Sequence, residues 1–464
     1  MWRTPPSGQR RIAIGPGQRA AKRAAPTAVP ADRPAALVHA YPDSWQAAGP
    51  PARTQRERFS EEIQMSSQPH SPRQIQLTAL LAGLCLVIGA CGNSDGNDGA
   101  SGKEPLHIGV ETGLTGANAT DGAAQLAGMK AYIAMVNAGG GINGHQVVLD
   151  TADDGNNPAN APGAARKLVE TEKVLVLTNT ISATSAAILP YLKARKVLLI
   201  PSSGSTALIS DPQSTVRLVR TGYAGLAAQI VEYGVKNLNV KRVAIAYTPD
   251  AIGEPARDGA LAELKALGLE PVAVVQYSST AANTSAQAAQ LKAANPDFVV
   301  VNNISSAVAP LIKAADQIGF KPIWGSTTAM VGSGTVATLA DQLDGRSYFS
   351  TSSVLPDSPD ATLYQTWMGK TGGDTTLYPS MDGWNIATGA IAVLRRAMAA
   401  AGGKVPTPEQ VLNAADGTTI NDAYTHNLAW TGTNFNGPTG AQVITLKDRK
   451  FKQVQAFQNV PTVS

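Results

Sequence analysis

The chain has 464 residues, 43% hydrophobic and 16% charged, enough apolar material for sizeable cores, which excludes wholesale disorder. The net charge of +4 is unevenly placed: residues 1–91 hold 11 Lys+Arg against 5 Asp+Glu, the rest 27 against 29, so the bulk carries no electrostatic footprint for nucleic acid. Both cysteines, Cys85 and Cys91, lie in one apolar run, which excludes a disulfide framework and a cysteine zinc site in the folded part.

Residues 1–64 carry 9 of the 30 prolines and no sustained apolar period. They read as a disordered leader, or as a segment ahead of a true start at Met65. After Met65 come a short polar stretch with Arg73 and the apolar run 77–90, too short for a comfortable membrane span. That run ends Ile88-Gly89-Ala90-Cys91, which matches a bacterial lipobox. Residues 65–91 are thus expected to be a lipoprotein signal peptide with Cys91 as the lipidated residue, and residues 92–104 a flexible tether.

Strands and helices alternate from residue 105. LHIGVET (106–112) is a short β run; the next segment repeats apolar residues at helical spacing and stops at Gly139. Strands follow at 146–154, 174–180 and 197–201, with helices at 160–172 and 183–194 between them. After Thr221 the pattern restarts, with helices at 224–237, 254–267, 284–294 and 306–318 and strands at 242–247, 271–277, 297–302 and 322–325. A long helix (382–401) and two late strands (441–446 and 452–458) complete the chain. Continuous Val/Ile/Leu strands between amphipathic helices predict two α/β layers, each with a parallel sheet covered on both faces.

The usual catalytic and metal constellations are missing. His107, His145 and His426 stand at no metal-ligand spacing, and no HExxH, GxSxG or P-loop pattern occurs. Gly139-Gly140-Gly141 follows a helix and reads as a stop and turn. Asp153-Asp154 is a carboxylate pair that can hold calcium, although a solvated loop or a hinge contact is the expectation. Neither Ser182 nor Ser205 has a sequence-evident histidine partner, so no enzyme activity, cofactor or metal is expected. What remains are hydroxyl-rich turns after two strands, Ile181–Ser185 and Ser202–Thr206. Ligands bind beyond the carboxyl ends of strands in open parallel sheets, and helix starts suit anions. The same residues also make ordinary helix caps, and composition does not choose between the two readings.

The motifs IGVETGLTG (108–116), AYIAMVNAGGGINGHQVVLDTADD (131–154), IPSSGS (200–205), VRTGY (219–223), AADQIGF (314–320), YPSMDGWNIATGAI (378–391) and FNGPTG (435–440) occur in one order. From Leu106 onward the chain resembles the solute-binding proteins of branched-chain amino acid ABC importers, the leucine/isoleucine/valine-binding family. The resemblance implies a type I periplasmic binding protein: α/β, two Rossmann-like lobes with parallel sheets joined by a three-crossing hinge. The lobes would be 105–221 plus 351–437, and 222–350 plus 438–464, with crossings near Thr221, Ser350 and Gly437.

It also implies a small-molecule ligand in the inter-lobe cleft, with ABC permease and ATPase subunits as partners and the lipid anchor as the tie to the membrane. The protein would be extracytoplasmic. The family's carboxylate-binding turns fall on Ser182 and on Ser203, Gly204 and Ser205. The acidic residue that receives a ligand ammonium is replaced by Thr327, or Ser326 with a one-residue gap shift. Ile252 stands where a capping tyrosine is common, and Asp121 where another aromatic is common. The ligand is then an amino acid or amide with Asp121 taking over the ammonium, or a non-amino carboxylate such as an aromatic or short-chain acid. A ligand sensor on the same fold is the alternative to transport.

Overall fold

The structure, a computed structural model, describes residues 103–462 apart from 117 and 423. The segments read from the sequence as a leader, a signal peptide ending at Cys91 and most of a tether lie outside the described residues.

In the first half, β1 (Leu106–Thr112), α1 (Ala119–Ala138), β2 (Val147–Asp153), α2 (Ala161–Arg166), β3 (Val176–Thr178), α3 (Ser182–Arg195) and β4 (Leu198–Ile200) follow in order. The strands form a parallel sheet ordered β2-β1-β3-β4. Alternate strand residues serve opposite faces. Ile108, Val110, Val176 and Leu198 pack with residues of α1 on one face, while Ala152, Leu177 and Leu199 pack on the other with Ile188 and Leu192 of α3. Gly139 ends α1, and Gly140 and Gly141 take positive φ; a β-carbon on Gly141 would stand 2.0 Å from the His145 carbonyl.

The chain then enters α4 (Tyr223–Asn237), β5 (Val243–Tyr247), α5 (Gly253–Ala266), β6 (Ala273–Gln276), α6 (Ser285–Ala294), β7 (Phe298–Asn302), α7 (Ser305–Gln317), β8 (Ile323–Thr327), α8 (Ser333–Leu343) and β9 (Ser347–Thr351). It returns to the first lobe for α9 (Thr362–Thr371), α10 (Pro379–Ala400), α11 (Pro408–Ala415) and the small antiparallel pair β10 (Thr419–Ile420) and β11 (Leu428–Ala429). Finally β12 (Gly440–Lys447) and β13 (Lys450–Asn459) join the second sheet, whose order is β13-β12-β9-β8-β7-β5-β6. The two late strands run antiparallel to their neighbours. Their connection is a tight turn at Asp448-Arg449, both with positive φ, the geometry that matches strand twist in a hairpin.

Three crossings link the lobes and meet at Thr221. Its hydroxyl donates to the Pro438 carbonyl at 2.6 Å, and its amide donates to Ser352 Oγ at 3.2 Å. A β-carbon on Gly437 would stand 1.9 Å from the Arg220 carbonyl, so the third crossing packs backbone against the first.

In the first lobe α1 and α10 are held close by two glycines. A β-carbon on Gly128 would lie 1.8 Å from the Ser380 carbonyl, and one on Gly383 would lie 1.8 Å from the Gln125 carbonyl. Gly128→Ala is therefore expected to lower stability by about 1–3 kcal/mol through overpacking. Gly163→Ala, on the open side of α2 with nothing within 4 Å, should be neutral or stabilise by up to about 1 kcal/mol. Thermal unfolding of the two variants checks the contrast; equal effects would show that the helix contact does not set the cost.

Candidate functional site in the inter-lobe cleft

The parallel part of each sheet has a switch point, where the connections depart in opposite directions: between β1 and β3 in the first, and between β5 and β7 in the second. Loops there diverge and leave a crevice at the carboxyl ends of the strands. The cleft is built from those loops. Asn118 and Asp121 follow β1, Ile181 and Ser182 follow β3, and Ser202 follows β4. Ile252 follows β5, Ile304 follows β7, and Thr328, Ala329 and Val331 follow β8. Gln125, Arg220, Tyr223, Pro379 and Asp382 complete a cavity of about 50 Å³.

Of the residues singled out in the sequence, Asp121, Ser182 and Ile252 line this cavity. Ser203 stands one hydrogen bond behind: its Oγ meets Ser182 Oγ at 2.7 Å and accepts from the Ser205 amide at 3.0 Å. Gly204 and Ser205 are buried and do not line the cavity; the Gly204 carbonyl accepts from the Tyr223 amide at 2.9 Å, and Ser205 Oγ has no partner. Thr327 is turned into the second lobe. Its hydroxyl donates to Asn302 Oδ1 at 2.5 Å, and it caps the short 3₁₀ turn 328–330. Ser326 is buried, also off the cavity, with Oγ unpartnered. Ile252 is positioned by Asp250, whose carboxylate accepts from the amides of Ile252 and Gly253 at 3.0 and 2.9 Å and so caps α5.

Asp121 reaches across the cleft. Its Oδ1 accepts from Ser333 Oγ at 2.7 Å, at the start of α8, whose positive end suits a carboxylate. Desolvation raises its pKa above the ordinary carboxylate value, against the opposing pull of Ser333 and Arg220. Asp121 forms no salt bridge among the described residues.

Arg220 and Asp382 were not expected from the sequence. They form a buried salt bridge on the cavity wall, with Ser353 Oγ donating to Asp382 Oδ1 at 2.9 Å. Burial raises the Asp382 pKa even with Arg220 beside it. Their only sequence signals are two arginines, Arg217 and Arg220, in the stretch Val216–Arg220 and an acid, Asp382, in the first turn of α10; the pairing across 162 positions leaves none. Gln125, whose side-chain amide donates to Ser202 Oγ at 2.7 Å, was equally silent. No group of three His, Cys, Asp or Glu side chains is placed to hold a metal among the described residues. No described helix is long and apolar enough to cross a membrane.

Comparison with known proteins agrees with this architecture. The family described as "Periplasmic binding protein" matches residues 105–450, and the chain belongs to that family, which implies an extracytoplasmic location. An amino acid binding protein of Pseudomonas aeruginosa is 28% identical over 222 residues, 46% of this chain and 57% of the relative. The chain spans between half and two thirds of the length of the curated relatives it matches, several of them Leu/Ile/Val-binding proteins. Among solved structures, a branched-chain amino acid ABC transporter protein of Thermus thermophilus with bound valine aligns with a TM-score of 0.67 at 21% identity, over 77% of this chain and 97% of that one. A solute-binding protein of R. palustris in complex with 4-hydroxybenzoate aligns equally well, TM-score 0.67 at 19% identity, over 77% of this chain and 98% of that one. The fold is thus the two-lobed type I periplasmic binding fold that the motif order implied.

Removing one partner of a buried ion pair leaves the other charge uncompensated, at about 3–5 kcal/mol. Arg220→Met should lose stability of that order in chemical denaturation. Adding Asp382→Leu should restore part of it; a double variant no better than the single would mean that the pair is not the origin of the loss.

Proposed function

We propose that the chain is the extracytoplasmic solute receptor of an ABC importer, held to the membrane through a lipid on Cys91, and that it takes a small amino acid or amide into the inter-lobe cleft. The ligand carboxylate is received at the start of α3 by Ser182, with Ser203 holding that hydroxyl in place and the Ser203–Ser205 turn behind it. The ligand ammonium is received by Asp121. The observation that carries this reading is Asp121 itself: a desolvated carboxylate facing the cleft, with Ser333 as hydrogen-bond donor and no ion-pair partner among the described residues. A carboxylate so placed favours a cationic group. Arg220 and Asp382 offset each other's charge and leave Asp121 as the net charge of the wall. The Leu/Ile/Val-binding names among the relatives support the same ligand class.

The competing ligand is a non-amino carboxylate. It gains support from Thr327, which turns away from the cleft and offers no acid there, and from the neighbour that binds 4-hydroxybenzoate. Transport, rather than sensing, is the reading for the whole protein; permease and ATPase genes beside this one favour it, an adjacent kinase gene does not.

Calorimetry with a panel of amino acids, amides and aromatic acids decides the ligand. Ser182→Ala should weaken the true ligand by about 1–3 kcal/mol, the cost of a lost hydrogen bond to a charged group. Asp121→Asn should weaken an amino acid strongly and leave an aromatic acid unweakened or bound more tightly. The pH dependence has opposite signs. An ammonium needs ionised Asp121, so amino acid affinity rises as pH climbs through the raised Asp121 pKa, whereas affinity for a plain carboxylate falls over the same interval. Unchanged affinity in both variants for the tightest ligand found would overturn the assignment.

A further inference from the structure

Gln125 shares the cavity wall with Asp121. Both belong to α1, four positions apart, so their side chains are neighbours on one helix face. Gln125 is 8% exposed. Its Nε2 donates to Ser202 Oγ at 2.7 Å, and Ser202 is itself buried, with its amide bound to the Thr180 carbonyl at 2.8 Å. The carboxamide is held at its nitrogen, and its oxygen is the unengaged end. Among the described residues nothing donates to Gln125 Oε1, and that atom is not one of those sealed from solvent, so it opens on the cavity that the side chain lines. Asp121 accepts from Ser333 through Oδ1 and retains further acceptor sites.

The support of Gln125 runs beside that of Ser182. Ser202 holds Gln125, and the next residue, Ser203, holds Ser182 Oγ at 2.7 Å. One turn after β4 therefore orients both an acceptor on α1 and a hydroxyl at the start of α3. An acceptor left without a donor is penalised once the lobes close and water is excluded, so Gln125 Oε1 needs a donor from the ligand. A carboxylate brings none, and Asp121 beside it repels one. A quaternary ammonium balances the Asp121 charge but has no N–H. A tertiary ammonium has one, which Asp121 takes. A primary or secondary ammonium has at least two, one for each acceptor.

We propose that Gln125 is the second acceptor for the ligand ammonium, and that the cleft admits nitrogen groups with two or more N–H donors and refuses N,N-dimethyl and betaine-type solutes. The inference rests on the reading that Asp121 receives an ammonium. A carboxamide suits the role beside an acid, because it adds an acceptor without a second negative charge, and one ammonium is then neutralised once. Burial and the bond to Ser202 already fix the side chain, so little of its freedom is lost when a ligand arrives.

The test uses the full chain, refolded free of bound solute, and calorimetry with the common amino acids. The tightest binder is then compared with its N-methyl and N,N-dimethyl derivatives. In the wild type the second methyl should cost at least about tenfold, the worth of a hydrogen bond to a charged group. Gln125→Met, which keeps the length and loses the acceptor, should weaken the parent amino acid at least about tenfold, and the second methyl should then cost about threefold or less. Gln125→Glu, which restores an acceptor, should recover most of the affinity lost in Gln125→Met. An equal cost of the second methyl in the wild type and in Gln125→Met means that size rejects it, and overturns the proposal. A wild-type chain that binds the dimethyl derivative as tightly as the monomethyl one overturns it whether or not the variants fold. Loss of amino acid binding in Asp121→Asn with none in Gln125→Met overturns this inference and leaves the Asp121 reading standing. Unchanged affinity in both variants, or no amino acid bound at millimolar concentration, overturns both.

Discussion

Thr221 is the constraint on which the cleft depends. One hydroxyl and one amide join the first crossing to the other two, through Pro438 and Ser352. The contact fixes where the lobes meet and so which loop ends oppose each other. It also fixes Arg220, one residue earlier, whose carbonyl is packed so tightly against Gly437 that no side chain fits there. The guanidinium is thereby delivered to the cavity wall beside Asp382. A buried ion pair in such a place adds little net stability, but breaking it is costly. The pair therefore fixes the shape of the first lobe's cavity wall more than it strengthens the fold. Hinge and wall are one device, built from consecutive residues.

The two lobes repeat one solution. Each sheet carries the same reversal of strand order, so each presents its loops at the same end, and the crevices face one another. Asp121 and Ser333 show the consequence: a residue from the start of α1 meets the start of α8 although 212 positions separate them. The helix starts on both sides bring partial positive charge to the cleft, which explains how Asp121 and Asp382 are tolerated in a desolvated place.

The alternation of Val/Ile/Leu strands with amphipathic helices was legible because continuous apolar runs have one economical use, a parallel sheet covered on both faces. The segment between 328 and 378 was not: α8, β9 and α9 are short, rich in Gly, Ser and Thr, and held by tertiary contacts such as Ser347 Oγ to the Leu343 carbonyl. In the site, the turn at Ser182 was legible as a strand end followed by hydroxyls. Arg220, Asp382 and Gln125 were not, because their meaning lies in partners across the fold. Thr327 illustrates the converse: a position chosen by alignment to a family pattern turns its hydroxyl to Asn302, which the alignment has no means to express.

The double engagement of Asp121 links recognition to closure in the proposed reading. The same carboxylate that would receive a ligand ammonium is the one that holds Ser333 across the cleft. A carboxylate has two oxygens and about four acceptor sites, so it can keep Ser333 on Oδ1 while Oδ2 takes a cation. Binding then adds a charge partner without breaking the inter-lobe bond, and the ion pair forms where desolvation makes it strong. A ligand without a cation would leave that oxygen uncompensated as the lobes close. In that proposed reading, discrimination between solutes rests less on shape than on whether the closed cleft becomes electrically neutral.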